Sequence, residues 1–452
     1  MFFEKFLIFF EKVLIIPVRE GHNGLFRTSK KYHTAADITK ICYFQEIFID
    51  LQLIRTRAYA YLLRYQDMKH NYTIGFDARS ANAENGGIGS YGRFIIKALA
   101  DACPENAYFR MYTPKRNPQR EYDELDNLPN VESMEPDGSI WRKLSSLWQL
   151  FRVAKDAKRG DVELFHGLES RLPYGLGRKD IRSVVNIHDL ISLRYTNYYN
   201  IIERIVEYIM VSSACHRADR IIAASEATKR DIAHLLGVSH EKIDVVYPGC
   251  NSLYSKDISD EEVAAVKKKY DLPDNYILTI GEMSERKNCG LIVEAMAELS
   301  ERYNLVVVGE QTSYTKRVKR RVKSLGFEDR VHIRRSVALA DRPALYKGAE
   351  IYIHPSKFEG FAVEILEALT VGVPVIAARG SSLEEAGGKH SIYVSSKDCG
   401  ELVEAIELLH NNEPLCQEMI NEGRLHAKLF RSEIAAYNIM KCYRRIGIDL
   451  GE

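Results

Sequence analysis

The sequence is poor in cysteine and lacks any arrangement of cysteines typical of a structural site. Eight cysteines are scattered over 452 residues, and no two of them form a Cys-x-x-Cys pair or a tight cluster with histidine. This spacing argues against a zinc site and against a disulfide framework. Dispersed free thiols are typical of a protein in a reducing cytoplasm, where we expect this chain to act.

The chain also lacks an excess of charge of one sign and any long hydrophobic run. Its 63 lysine and arginine residues nearly balance 62 aspartate and glutamate residues, so the overall charge provides no attraction to nucleic acid. The absence of a run of about 18 apolar residues predicts that no helix spans a membrane. The length predicts two or three domains.

The first 70 residues carry no clear signal for a particular fold, but they read as a helical extension. The opening stretch MFFEKFLIFFEKVLIIPVRE repeats a Glu-Lys pair after seven residues and places phenylalanines on the other side of a helix. It has neither the basic start nor the small-residue cleavage site of a signal peptide. Residues 1–20 therefore have two interpretations, a peripheral membrane contact or a helix packed on the body or on a partner.

After this extension the chain alternates between strand and helix patterns. The strand YTIGFDAR leads into the glycine-rich stretch NGGIGSYGRFI, which enters a predicted helix near Ser90. Gly86, Gly87 and Gly89 would let backbone N–H groups approach a ligand at the start of that helix. Further apolar runs end in Gly, Pro, Ser or a His-Asp pair, as the strands of doubly wound sheets do. We therefore predict a Rossmann-like domain over residues 71–250.

A second series of strand and helix patterns follows the first. The strands YILTIGEM, NLVVVGE, RVHIRRS, EIYIHPS and VPVIAA predict a second Rossmann-like domain over residues 276–425, with residues 251–275 as a polar connector. Two such domains facing each other would form a cleft at the carboxyl ends of their strands, where ligands bind. The predicted fold class is α/β, with two facing doubly wound domains and an extra helical segment at the N-terminus.

Charged residues stand at two predicted strand ends of the second domain. Arg286 and Lys287 follow the strand YILTIG, where a guanidinium and an ammonium suit adjacent phosphate oxygens. The stretch EGFAVEILE begins at Glu359 and ends at Glu367, and the amides of residues 360–363 would be free at the start of a helix. The alternatives are a solvated basic turn, a capping glutamate and an ordinary surface glutamate, although Glu367 lies among apolar residues that suit an unpaired charge poorly.

In this order the motifs resemble family 4 of the retaining glycosyltransferases, the group 1 transferases, which have the GT-B fold. HPSKFEGFAVEILEALTVGVPVIAA is similar to the family's donor-binding signature of two glutamates separated by seven residues. GEMSERKN resembles its phosphate loop, NIHDL its catalytic-loop histidine and GGIGSYGRFI its acceptor-side glycine loop. Residues 426–452 resemble its last helix, which crosses back to the first domain. The pattern is most similar to bacterial surface-polysaccharide mannosyl- and rhamnosyltransferases.

The resemblance implies a role for each motif residue. His188 would contact the donor sugar, Glu359 would hydrogen-bond the sugar hydroxyls, and Glu367 would hold the ribose hydroxyls of the nucleotide. The catalytic residues would be His188, Glu359, Arg286 and Lys287. The donor-binding residues would be Gly281, Arg286, Lys287, Gly309, Val337, Glu359, Gly360, Phe361, Ala362, Val363 and Glu367.

The resemblance also implies a reaction without a metal or another cofactor. No Asp-x-Asp motif follows a predicted strand, so Arg286 and Lys287 are expected to stabilise the charge that grows on the diphosphate leaving group. A hexose, with mannose favoured, would pass from a nucleotide-diphosphate sugar to a glycan or a lipid-linked acceptor. The departing phosphate would act as the base, and we expect no covalent nucleophile.

The sequence departs from the family pattern at three motif positions. Glu282 stands in place of the usual arginine of the phosphate loop, Ala362 replaces a common glycine, and Glu364 replaces a common proline. Ala362 keeps its amide, whereas Glu364 could alter sugar preference or loop shape. These departures keep a second hypothesis open, a binding or scaffold protein on the same fold that has lost catalysis. A third is a phosphorylase-type enzyme with a lysine-bound pyridoxal cofactor.

Overall fold

The computed structural model describes residues 72–81, 87–114, 125, 127–177, 180–195 and 198–451. The predicted extension over residues 1–70 lies outside the described residues, and with it the stretch interpreted as a membrane contact. Gly86 lies outside them as well. In the described part, no helix is long and apolar enough to cross a membrane.

The first half of the described chain forms a seven-stranded parallel sheet in the order β3-β2-β1-β4-β5-β6-β7. The strands are β1 Tyr72–Asp77, β2 Ala107–Tyr112, β3 Val131–Met134, β4 Leu164–Gly167, β5 Arg182–Ile187, β6 Arg220–Ala223 and β7 Ile243–Val245. The α-helices are α1 Gly87–Ala102, α2 Ser139–Lys143, α3 Ser145–Leu147, α4 Val153–Arg159, α5 Ile191–Arg194, α6 Ile201–Arg217 and α7 Glu226–Leu236. A π-helical turn covers Trp148–Arg152, and a 3₁₀ turn covers His240–Lys242.

The second half forms a six-stranded parallel sheet in the order β10-β9-β8-β11-β12-β13. The strands are β8 Ile277–Ile280, β9 Leu305–Val308, β10 Val331–Arg334, β11 Ile351–His354, β12 Val375–Ala378 and β13 Ile392–Val394. The α-helices are α8 Asp260–Lys269, α9 Cys289–Ala295, α10 Ser313–Leu325, α11 Arg342–Lys347, α12 Val363–Val371, α13 Leu383–Gly387, α14 Cys399–His410, α15 Glu413–Ala427 and α16 Ser432–Arg444. The 3₁₀ turns are Ser252–Ser255, Leu339–Asp341 and Lys428–Phe430.

The central strands of each sheet are buried on both faces, which is why most of them are nearly continuous apolar runs. In the first sheet, Val184 of β5 packs in one hydrophobic cluster and its neighbour Val185 in another on the opposite face. In the second sheet, Leu278 and Ile277 of β8 divide between two clusters in the same way. Two doubly wound domains result, as the sequence predicts.

The glycine-rich stretch after β1 differs from its predicted form. Helix α1 begins at Gly87 rather than near Ser90, so Gly87 and Gly89 are helical residues and not parts of a loop. A Cβ atom on Gly89 would overlap the carbonyl oxygen of Ser80, so the glycine allows the helix to pack on that backbone. Gly87 has open space around it and is exposed.

The stretch predicted to be a connector contains ordered helix. Ser259 caps α8 in a capping box with Glu262, and acidic and basic residues occupy its first and last turns. Val266 of α8 and Tyr254 of the preceding turn are buried in a cluster of the second domain. The polar sequence of residues 251–275 therefore includes a helix with one narrow buried side.

The last helix contacts the first domain. Helix α16 belongs to the same hydrophobic cluster as α1. Nε2 of the buried His166 donates to Oδ1 of Asn186 at 2.6 Å, so the other ring nitrogen, Nδ1, carries no proton. Nδ1 therefore accepts from the hydroxyl of Tyr443 of α16, also at 2.6 Å. Burial lowers the pKa of His166 to about 4, although the hydrogen bond that the ring donates to Asn186 acts in the other direction, so the ring is neutral.

The two domains meet through polar contacts at the amino end of α7. The carboxylate of Glu385, in the middle of the short helix α13 of the second domain, accepts from the backbone amides of Glu226 and Ala227 at 2.8 and 2.9 Å. The hydroxyl of Tyr247 also donates to this carboxylate, at 3.0 Å. A carboxylate at a helix amino terminus satisfies amides that have no partner inside the helix, so Glu385 stabilises this arrangement of the domains.

We expect Glu385→Gln to weaken the contact between the domains. The amide group has one acceptor oxygen instead of two charged ones, so the variant should lose about 1–2 kcal/mol of stability. Thermal denaturation should show a lower Tm, and small-angle scattering should show a larger radius of gyration. Glu328→Gln, at an exposed glutamate of the second domain, is the control. An unchanged Tm and radius for Glu385→Gln would contradict this assignment.

Candidate active site

The predicted catalytic residues follow three strand ends that face each other across the two domains. His188 follows β5 of the first sheet, Arg286 and Lys287 follow β8 of the second, and Glu359 follows β11. The backbones of two of these loops lie close together, since a Cβ atom on Gly360 would overlap the carbonyl oxygen of His188. The glycine therefore lets the loop that carries Glu359 lie directly on the loop that carries His188.

Glu359 is the centre of a compact ion cluster. Its Oε2 lies 2.7 Å from Nη1 of Arg286, and its Oε1 lies 2.8 Å from Nζ of Lys287. The side chain of Glu359 is 9% exposed, and those of Arg286 and Lys287 are 18% and 13% exposed. Arg286 also donates from Nη1 to the carbonyl oxygen of Phe358, at 2.9 Å. Arg286 and Lys287, which are predicted to bind phosphate, are thus held in place by Glu359, which is predicted to bind the sugar.

The charges in this cluster keep one another ionised. Burial alone would raise the pKa of Glu359, but Lys287, His354 and Arg286 outweigh it and hold the pKa well below its usual value. For Lys287, burial would lower the pKa, and the negative charges of Glu359 and Glu364 raise it instead. The pair is therefore an ion pair at neutral pH, and removal of either partner would leave a buried charge without compensation.

Glu364 is a fourth member of the cluster, at the position where the family commonly has proline. Its Oε1 lies 3.1 Å from Nζ of Lys287, so this ammonium contacts two carboxylates. Burial opposes the charged form of Glu364, but Lys287 and then His354 lower its pKa. With Arg286 and Glu359 included, the cluster contains two cations and two carboxylates, and its formal charge is balanced.

His354 is a site residue that the sequence analysis missed. It is the last residue of β11 and is 1% exposed, and its Nε2 lies 3.4 Å from Oε1 of Glu359. Nδ1 accepts from the hydroxyl of Tyr352 at 3.0 Å, so Nε2 carries the proton that faces the carboxylate. The available signal was the stretch IYIHPS, in which a histidine ends a buried strand just before the glutamate signature.

The turn between Glu359 and α12 presents free backbone amides, as predicted. Helix α12 starts at Val363, and within the described residues the amides from Gly360 to Val363 donate to no protein acceptor. Ala362 has φ 74°, a left-handed conformation that costs a residue with a Cβ atom roughly 1–2 kcal/mol. Because these amides lie at a helix amino terminus and have no protein acceptor in the described chain, this turn is suited to an anion.

Glu367 is held by a tyrosine inside the second domain. Its Oε2 accepts from the hydroxyl of Tyr346 at 2.8 Å. Burial, and then the charge of Glu364, raise the pKa of Glu367 to about 7, although Tyr346 and Arg342 favour its charged form. The carboxylate thus lies one helical turn from the free amides, with one well-fixed oxygen and a protonation state that changes near neutral pH.

His188 has a defined tautomer and a fixed ring. Nε2 lies 2.8 Å from the carbonyl oxygen of Leu168, so this nitrogen carries the proton and Nδ1 is free to accept one. Burial lowers the pKa of His188, and the ring is neutral at pH 7. The ring of Tyr91 meets it edge-on, with centroids 4.7 Å apart. Asn186 donates to the hydroxyl of Tyr91 and accepts from His166. Since His166 also accepts from Tyr443, a chain of hydrogen bonds links the last helix to Tyr91, which packs on His188.

The remaining predicted donor residues have packing roles that are visible in the structure. A Cβ atom on Gly309 would overlap the carbonyl oxygen of Gly281, so these glycines let the ends of β9 and β8 approach each other. Phe361 packs on Phe430 with ring centroids 5.5 Å apart. Val337 is buried in the same hydrophobic cluster. These contacts shape the crevice whether or not the residues touch a ligand.

Glu364→Gln should strengthen the binding of a nucleoside diphosphate. The change removes one negative charge and leaves Lys287 with a single carboxylate partner, which should contribute about 1 kcal/mol, or roughly fivefold, to affinity. Isothermal titration calorimetry with UDP and GDP measures the effect. Glu294→Gln, which breaks an exposed ion pair with Arg321, is the control. Unchanged or weaker binding by Glu364→Gln would contradict a role for Lys287 in holding phosphate.

Two family models match the chain in sequence order. "Glycosyltransferase Family 4" matches residues 85–252, which contain most of the first sheet and His188. "Glycosyl transferases group 1" matches residues 260–426, which contain the second sheet and the Glu359 cluster.

Curated relatives include several mannosyltransferases. O-antigen chain mannosyltransferase RfbU of Salmonella typhimurium is 26% identical over 60% of this chain and 72% of its own length. O-antigen chain mannosyltransferase B of Escherichia coli is 27% identical over 69% of this chain and 84% of its own. Mannosylfructose-phosphate synthase of Agrobacterium fabrum is 26% identical over 44% of this chain, and the match spans only 46% of that protein.

The architecture has solved counterparts. HepE of Anabaena, crystallised in complex with UDP and glucose, superposes with a TM-score of 0.65 and covers 83% of this chain and 100% of its own. At 17% identity this likeness shows the fold alone. With the two family models in order and two doubly wound domains, the chain belongs to the GT-B glycosyltransferases, with a family 4 domain followed by a group 1 domain.

Proposed function

We propose that this glycosyltransferase is a retaining enzyme that needs no metal and moves a hexose, with mannose favoured, from a nucleotide-diphosphate sugar to a glycan or lipid-linked acceptor. The relatives named as O-antigen mannosyltransferases support the choice of sugar and acceptor. The observation that carries the proposal is the ion cluster of Glu359, Arg286 and Lys287 beside four free amides. The cluster and the neighbouring turn together provide cations and backbone N–H donors that a diphosphate could bind at the start of α12.

The cluster suits a reaction in which charge grows on a leaving group. When the bond between the sugar C1 and the diphosphate oxygen breaks, its electron pair goes to that oxygen. Arg286, Lys287 and the amides of the turn at residues 360–363 would stabilise the new charge. Glu359 holds Arg286 and Lys287 in place before the reaction, so little reorganisation of these two cations is required.

The carboxylates and the histidine would handle the sugar and the nucleotide. Glu359 has lone pairs left for sugar hydroxyls, and Glu367 has one oxygen free of Tyr346 for the ribose. Neutral His188 offers Nδ1 as an acceptor to the sugar on the opposite wall. The acceptor oxygen forms the new bond to C1 on the face that the diphosphate leaves, and its proton passes to the departing phosphate.

Nucleotide release from donor sugars tests the proposed reaction. Purified protein should release GDP slowly from GDP-mannose without an acceptor, and the rate should be unchanged in EDTA. Glu359→Gln should reduce the rate by roughly 100-fold or more because it releases the cations that face the phosphate. Glu328→Gln is the control, and a thermal melt shows whether each variant is folded.

Two results would contradict this proposal. A rate that falls to zero in EDTA and returns with Mn²⁺ would disprove a metal-independent reaction. An absence of nucleotide release from GDP, UDP, ADP and dTDP sugars would favour the alternative of a binding or scaffold protein on this fold. His188→Asn, at a residue with no ion pair among the described residues, provides a second variant if Glu359→Gln does not fold.

We also propose that the protein acts in the cytoplasm and contacts the inner face of the membrane through residues 1–20. The amphipathic pattern of that stretch supports the contact. Within the described residues, the first half of α6 adds an exposed apolar surface at Ile202, Ile205 and Ile209. A lipid-linked acceptor would be reached from this position.

Deletion of residues 1–70 should move the protein from the membrane fraction to the soluble fraction. Sedimentation with liposomes measures the change, and Ile202→Gln combined with Ile205→Gln and Ile209→Gln tests α6 separately. Unchanged partitioning after the deletion would remove the membrane role of residues 1–20.

A further inference from the structure

A second cationic cavity lies between the domains, beside the loop that carries Glu359. It has a volume of about 180 Å³ and is lined by Arg194 and Arg230 from the first domain and by Lys357 and Arg379 from the second. Among the described residues that line it, four are cationic and none is a carboxylate. Cations that line one small space repel one another, so a bound anion would stabilise this arrangement.

Two of the four cations have an ion-pair partner among the described residues, and two have none. Arg194 pairs with Asp231, and Nη2 of Arg379 lies 3.0 Å from Oε2 of Glu401. Within the described residues, the side chains of Arg230 and Lys357 have no hydrogen bond or ion pair. The cavity therefore offers one guanidinium and one ammonium from opposite domains to a ligand.

The cavity shares a wall with the candidate active site but uses different side chains. Phe358, which lines it, directly precedes Glu359, and the guanidinium of Arg194 lies over the Phe358 ring at 5.4 Å. Ser381, another lining residue, accepts from the backbone amide of Glu359 at 3.3 Å. A group bound in the cavity would lie next to the loop where the sugar transfer is proposed, apart from Arg286 and Lys287.

We propose that this cavity binds a phosphoryl group of the acceptor. The inference rests on the proposed transfer reaction, since it supplies a place for the second substrate. A phosphate ester or diphosphate would bring negative charge to Arg230 and Lys357, and arginine and lysine are suited to its oxygens. Because the cations come from both domains, the bound group would also stabilise domain closure around the donor.

Binding of phosphate probes in the presence of saturating UDP or GDP tests this site. The nucleotide occupies the crevice at Arg286 and Lys287, so a further anion must bind elsewhere. Calorimetry should detect inorganic pyrophosphate binding to the wild type and at least tenfold weaker binding to Arg230→Ala/Lys357→Ala. Lys316→Ala/Arg320→Ala, at two exposed cations of α10, is the matched control and should bind as the wild type does.

Two organic probes distinguish the sources of the phosphoryl group. Tighter binding of farnesyl diphosphate than of mannose 6-phosphate indicates a lipid-linked acceptor, and the reverse indicates a soluble sugar phosphate. The inference is overturned if Arg230→Ala/Lys357→Ala binds pyrophosphate as tightly as the wild type, or if no probe binds once the nucleotide is present. Nucleotide release without acceptor should be unaffected in this variant. If the wild type releases none while pyrophosphate still binds here, the proposed function fails and the anion site stands.

Discussion

The contact of Glu359 with Arg286 and Lys287 is the interaction on which the rest of the site depends. It joins the loop after β11 to the loop after β8, with distances of 2.7 and 2.8 Å, in a place where each charge is largely shielded from water. An isolated charge there would be costly, so the three side chains fix one another's positions. The same contact keeps two cations directed at the start of α12, where four amides have no protein partner in the described chain.

This arrangement explains why the two domains must lie so close. Gly360 rests on the backbone of His188, and the hydroxyl of Thr228 lies 3.2 Å from the carbonyl oxygen of His188 and 3.4 Å from that of Gly360. The carboxylate of Glu385 holds the start of α7 beside them. On the other side of His188, buried hydrogen bonds extend to Tyr443 of the last helix. The position of one catalytic candidate therefore depends on contacts from both domains and from the C-terminal helix.

Much of the fold could be predicted from the sequence because its strands are buried on both faces. Short apolar runs such as LVVV and VIAA, set between helix patterns, are typical of buried strands. Ser225 and Gly237 mark the two ends of α7, because serine favours the amino-terminal cap of a helix and glycine the carboxyl-terminal cap. Strand β3, with the sequence VESM, was missed because three of its four residues are only partly buried. Helix α8 was also missed, because Val266 is its single buried residue and its sequence is otherwise mostly charged.

The candidate site was less predictable because spacing along the chain does not reveal side-chain partners. The sequence motifs assigned Arg286 and Lys287 to phosphate and Glu359 to the sugar, and could not show that these three side chains contact one another. Glu364 joined the cluster through the geometry of α12, which no local motif encodes, whereas the only sequence signal for His354 was its place at the end of β11. Ala362 kept its left-handed conformation although it has a Cβ atom, because the surrounding loop determines its backbone.

A crystal structure of the protein with a bound nucleoside diphosphate, in buffer containing EDTA, tests the central claim most directly. The account predicts that the guanidinium of Arg286 and the ammonium of Lys287 each lie within about 3 Å of a β-phosphate oxygen, with the amides of residues 360–363 on the same group. It is contradicted if both cations remain on Glu359 while the diphosphate is held elsewhere in the crevice.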